Sequence, residues 1–156
     1  MWNEKGTECS YNFPQDNKVN NFQAVQWLSE ACQKFHFDIV VTSTWRWDAN
    51  YKECLINGGL RSDIEILGKT PTIENQCRGF EIKKYLEDHP EINYYIIIDD
   101  DCDMLPEQMG HFIMTDTKVG FTLNDFERFE KIFLSDQGHG GSFPEKKHKD
   151  YRKDIV

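Results

Sequence analysis

The stretch Tyr94–Met104, YYIIIDDDCDM, constrains the fold more than any other. An apolar, β-branched run from Tyr94 to Ile98 breaks abruptly at Asp99, Asp100 and Asp101, with Asp103 close behind. Apolar runs of this kind, bounded by polar residues, read as strands buried on both faces of a parallel sheet. Ligands of open α/β sheets sit at the carboxyl ends of such strands. Carboxylates crowded there repel one another unless a cation offsets them, and hard oxygen ligands suit Mg²⁺. The plainer alternative is an acidic turn that caps the next helix.

At 156 residues the chain suits one domain with a real core. Its net charge of -9, with 29% charged residues, weighs against a nonspecific grip on nucleic acid or on an anionic membrane surface. The five cysteines, Cys9, Cys32, Cys54, Cys77 and Cys102, are odd in number and lack zinc-type pair spacing, which points to reduced intracellular thiols. No run reaches the length of a membrane span, and no basic region followed by an apolar one opens the chain. A soluble, cytoplasmic protein is expected.

In chain order, Met1–Asp16 reads as a loop. A helix to about Phe35 follows, with Val19, Phe22, Val25, Leu28, Cys32 and Phe35 on one face and Asp16 or Asn17 as its cap. The strand Phe37–Val41 ends in three hydroxyls, Thr42, Ser43 and Thr44. Hydroxyls at that position can donate to a phosphoryl oxygen; the alternative is an ordinary turn whose hydroxyls satisfy local backbone. Arg46, between Trp45 and Trp47, is able to fork onto a phosphate.

Asp48 is expected to cap a helix carrying Tyr51, Cys54 and Leu55 inward, stopped at Gly58 and Gly59. A short strand, Ile64–Leu67, leads to a loop that supplies Lys69 and Arg78, the basic residues best placed to face an acidic site. Arg78 precedes a helix over Phe80–Asp88, with Phe80, Ile82 and Leu86 inward, and a cation there opposes the helix dipole. A strand at His111–Met114 follows, then a capping pattern, Thr122 with Asp125, ahead of a helix over Leu123–Leu134 with Phe126, Phe129 and Phe133 on one face. Residues 135–156 are glycine-rich and then highly charged, which reads as a polar tail or docking segment in which His139 and His148 are solvated.

Alternating helices and short buried strands predict an α/β, Rossmann-like sheet. Four segments, IVVTSTWR (Ile39–Arg46), TP with RGFEI (Thr70, Pro71, Arg78–Ile82), IIIDDDCDM (Ile96–Met104) and TDTKVGFT (Thr115–Thr122), resemble in their order the haloacid dehalogenase (HAD) superfamily. More narrowly, the chain resembles the HAD domain of Swiss Army Knife RNA repair proteins. The resemblance implies a three-layer sandwich with a mainly parallel sheet over residues 1–134, residues 1–16 being a loop. It also implies a Mg²⁺-dependent phosphohydrolase acting on a phosphorylated small molecule, nucleotide or nucleic-acid end. Carried over residue by residue, its second motif falls on Ser43, with Thr42 as the alternative. Its basic motif falls on Arg78, with Lys69 as the alternative. Its acidic motif falls on Asp99 and Asp100, Asp100 binding Mg²⁺ directly, Asp99 supporting it and Asp103 helping through water. The implied chemistry is attack by an aspartate on phosphorus, giving an acyl phosphate that water hydrolyses.

The family's first motif, an apolar strand ending in Asp-x-Asp, has no counterpart in the N-terminal region, which reads MWNEKGTECS. That strand lies at the centre of the family's sheet, so its neighbours are expected to lack backbone partners across a gap. Three arrangements accommodate this: a true start upstream of Met1, a noncatalytic relative that binds metal or a phosphorylated ligand, or a strand donated by another chain or a second copy.

Overall fold

The computed structural model describes residues 18–137 and 152–155, and the expectations for Met1–Asp16, Cys9, the cap of the first helix, His139 and His148 lie outside them. Helix α1 (Lys18–Phe35) ends at His36, which takes the left-handed conformation at φ 60° and lets the Phe37 N–H return to the Cys32 carbonyl at 2.9 Å. Strand β1 (Asp38–Val41) then leads through a tight 3₁₀ turn, Thr44–Trp47, into the short helix α2 (Tyr51–Asn57). Asn50 holds the cap position of α2, while Asp48 acts two residues upstream, accepting the Asn50 N–H at 2.8 Å.

Strand β2 (Ile66–Lys69) starts two residues later than the apolar pattern suggests, because Ile64 is held in a turn by its bond to the Arg61 carbonyl at 3.2 Å. Helix α3 (Arg78–Asp88) starts two residues earlier than expected. Ile82 and Leu86 face the core as expected, whereas Phe80 is 44% exposed, and Gly79, Glu81 and Tyr85 are buried with Ile82. Strands β3 (Ile92–Asp99) and β4 (Phe112–Met114) and helix α4 (Leu123–Gln137) complete the expected elements. At the start of α4 the capping pattern forms as read: the Thr122 N–H donates to Asp125 Oδ2 at 3.0 Å and the Asp125 N–H to Thr122 Oγ1 at 3.4 Å.

One further strand corrects the expectation of a polar tail over 135–156. Residues 135–137 finish α4, and β5 (Arg152–Ile155) enters the sheet. The strand order is β2-β1-β5-β3-β4, and all four pairings are parallel. The expected central gap is therefore filled, by the carboxyl-terminal segment. Asp154 pairs with Asp38 on one side and Tyr95 on the other, and Ile155 pairs with Ile39 and Ile96. Backbone pairing on both edges is the physical reason a charged segment joins a buried sheet.

Alternation along the strands makes two cores. Ile39, Val41, Ile96 and Ile113 pack with Ala31, Cys32 and Phe35 of α1 and with Phe129 and Phe133 of α4. Val40, Ile97 and Phe112 pack on the other face with Ile82 and Tyr85 of α3. Helices thus cover both faces, as an α/β sandwich requires. Phe129 is fully buried, its ring 4.9 Å from that of Phe37 and 5.7 Å from that of Phe35.

Phe129→Ala is expected to cost about 3–5 kcal/mol in denaturant-induced unfolding, as for other buried Phe truncations. Cys32 gives a second check. Burial, followed by the charge of Asp38, pushes its thiol up to about 12, whereas Cys102 is exposed. Iodoacetamide at neutral pH should therefore modify Cys102 in the native protein and reach Cys32 only on unfolding, as read by peptide mass mapping.

Candidate functional site

The carboxyl ends of β1 and β3 flank the slot that β5 occupies, and each carries part of the site. On the β3 side, Asp99 is buried at 6% exposure. Its Oδ2 accepts Arg78 Nη1, and its Oδ1 accepts the Asp101 N–H at 2.9 Å. Asp103 joins them through Oδ2, which accepts the Arg78 backbone N–H at 2.9 Å. Its Oδ1 is buried, with no hydrogen-bond partner among the described residues. Asp100 is exposed. Arg78, Asp99 and Asp103 are thus brought together, with Arg78 at the first turn of α3.

Gly79 explains how α3 reaches so close to the acidic loop. A Cβ at Gly79 would lie 2.6 Å from the Leu105 N and 2.8 Å from Gln108 Oε1. The Gly79 N–H donates to the Asp103 carbonyl at 3.1 Å, and buried Gln108 donates to the Gly79 carbonyl at 2.8 Å while accepting the Leu105 N–H at 2.8 Å. Neither Gly79 nor Gln108 was visible as a site residue in the sequence. The glycine directly after Arg78 was the available signal.

On the β1 side, Thr42 is buried, and its Oγ1 accepts the Thr70 hydroxyl at 3.2 Å. Ser43 caps the 3₁₀ turn without a side-chain cap bond, and Thr44 opens that turn; both are partly exposed. Of the two hydroxyls weighed for the second motif, Thr42 is thus engaged inside the protein and Ser43 is the more accessible. Arg46 is turned inward at 5% exposure, its Nη2 2.6 Å from Glu81 Oε2 and its Nη1 on the Thr42 carbonyl. The other Glu81 oxygen accepts the Ile73 N–H at 3.1 Å. Lys69 is exposed and donates to the Arg46 carbonyl at 2.8 Å, with its ammonium 5.2 Å from the Tyr51 ring centre. Arg46 and Lys69 therefore brace the hydroxyl turn. Sequence reading missed Glu81, which lies far from Arg46 along the chain.

The charges follow from burial and pairing. Burial raises the Asp99 carboxyl above its ordinary 3.8, against the lowering effect of the Asp101 N–H and of Arg78. For Arg78 burial works downward, but the hydrogen bond and charge of Asp99, with the charges of Asp103 and Asp101, hold its pKa above the ordinary value. Folding thus disfavours the ionised form of Asp99. Its contribution to stability is fullest below the ordinary value and is lost as pH rises through the folded midpoint.

Mg²⁺ is the cofactor the family implies. The orphaned Asp103 Oδ1 suits a cation, but both Asp99 oxygens are engaged, and among the described residues no three His, Cys, Asp or Glu side chains gather to hold a metal. Of the three aspartates assigned to Mg²⁺, Asp99 and Asp103 come together at Arg78, and Asp100 is exposed beside them.

Because one buried partner would be left unpaired, Glu81→Ala is expected to cost about 3–5 kcal/mol in chemical denaturation. Arg78→Met should move the Asp99 titration further upward by removing its cationic partner, followed by carboxyl ¹³C chemical shifts.

Among the described residues no helix is long and apolar enough to cross a membrane. No curated protein and no solved structure matches the chain. A family model described as the HAD domain in Swiss Army Knife RNA repair proteins matches residues 3–126, most of the chain and all four segments that carry the resemblance. By that match, with an α/β sandwich and an acidic strand end paired to a basic helix start, the chain belongs to the HAD domain family of Swiss Army Knife RNA repair proteins.

Proposed function

We propose that this chain is a HAD-type phosphohydrolase domain whose described residues supply phosphoryl recognition, acting on phosphorylated nucleic-acid ends or small phosphorylated molecules. One observation carries the reading: the hydroxyls of Ser43 and Thr44 and the Arg78–Asp99 pair stand at the carboxyl ends of two strands that flank the same slot. Ser43 donates its O–H to a phosphoryl oxygen. Arg78, with one nitrogen committed to Asp99, presents its remaining N–H groups to the same anion. Family membership supports the phosphate chemistry and the nucleic-acid context. Mg²⁺ is the expected cofactor, and when bound it offsets charge on the transferring phosphoryl group. The cytoplasm is the expected compartment.

A second reading is a noncatalytic phosphate-binding relative. It is favoured by the identity of the strand in the slot: the four residues Arg152–Ile155 read RKDI and contain no Asp-x-Asp.

The test is calorimetric titration of the protein with inorganic phosphate, with and without Mg²⁺, together with release of phosphate from p-nitrophenyl phosphate and a 5′-phosphorylated oligonucleotide. Phosphate binding is expected, weakened at least tenfold, or about 1.4 kcal/mol, by Arg78→Met and by Ser43→Ala. Turnover selects the hydrolase and saturable binding without turnover selects the relative. Unaltered binding in both variants refutes both readings.

A further inference from the structure

The strand in the middle of the sheet is the one whose sequence suits that place least. Parallel strands covered on both faces read as near-continuous apolar runs, as DIVV in β1 and YYIII in β3 do. Between them, β5 reads RKDI, three ionisable residues in four. The residues on either side of the slot are apolar and buried, with Ile39, Val40 and Val41 along β1 and Ile96 and Ile97 along β3. A strand with one apolar residue in four has little to contribute to the two cores that its neighbours build. The pairing is also short. Ile155 is level with Ile96, so the described strand ends three residues below Asp99.

The slot does not depend on β5 alone for its walls. On one face α3 packs against both Val40 of β1 and Ile97 of β3, and it grips both sides through Glu81 to Arg46 and Arg78 to Asp99. On the other face α1 and α4 pack against Ile39 and Val41 of β1 and Ile96 of β3. Helices therefore bridge the slot above and below.

We propose that the slot between β1 and β3 is a strand-accepting groove, occupied reversibly by Arg152–Ile155, and that its better-fitting occupant is an apolar, β-branched segment of a partner chain added in the parallel sense. Backbone hydrogen bonds supply affinity, and the two apolar cores supply the preference for uncharged residues. The tethered segment holds an advantage in effective concentration, so only a strand that fits better displaces it. This inference rests on the sheet and is independent of the phosphoryl reading.

Amide hydrogen exchange of the full chain, read by mass spectrometry, tests it. Alone, the amides of Arg152–Ile155 should exchange at least tenfold faster than those of Ile96–Ile98 and at least tenfold slower than a free peptide. Added at excess, a peptide of residues 149–156 carrying Arg152→Val, Lys153→Val and Asp154→Val should release the protection of Arg152–Ile155 and leave β1 and β3 at least as protected. The unsubstituted peptide should do so at least tenfold less effectively. Exchange of β5 only through global unfolding, exchange at the free-peptide rate, equal effects of the two peptides, or no displacement each overturns the proposal.

Discussion

A parallel sheet buried on both faces has no water with which to satisfy its backbone, so each interior strand edge needs a neighbour. That requirement governs this protein at the seam between β1 and β3. Each of those strands has an outer partner, β2 and β4 respectively, and they meet only through β5. The strand that joins them, RKDI, is held there by backbone pairing on two edges. The fold therefore has continuous hydrogen bonding across an uneven distribution of apolar side chains.

Helix α3 is the second organising element, and it reaches both sides of the seam. Its first turn delivers Arg78 to Asp99 on one strand and Glu81 to Arg46 beyond the other. The close approach at Gly79 fixes the height of the helix against the acidic loop. A movement of α3 is thus shared by the hydroxyl turn and the carboxylate cluster. The hydroxyl turn on one side of the slot and the carboxylate cluster on the other are tied to the same helix.

Much of this was legible in the sequence, and the exceptions have physical causes. The apolar run before Asp99, the hydroxyls after β1 and the reciprocal Thr122–Asp125 cap are local patterns, and each forms where it was read. Arg46 was not legible. A cation beside hydroxyls looks the same whether it awaits a phosphate or has a carboxylate thirty-five residues away, and only the fold brings Glu81 to it. On α3, Ile82 and Leu86 were read correctly and Phe80 was not, because a residue two positions from Ile82 does not share its face of the helix. Strand β5 escaped because RKDI carries no strand pattern; its conformation is imposed by its neighbours. The acidic cluster was legible as a cluster but not as a set of ligands, since that depends on which oxygens the protein itself engages.

The direction of β5 has a practical side. It runs parallel to β1 and β3, so its carboxyl end points toward the edge that carries Ser43, Asp99 and Arg78. An affinity handle attached at that end of the strand becomes a steric neighbour of that edge, and a polyhistidine handle a chelating one. Placing the handle elsewhere keeps measurements of metal and phosphate binding a property of the protein itself.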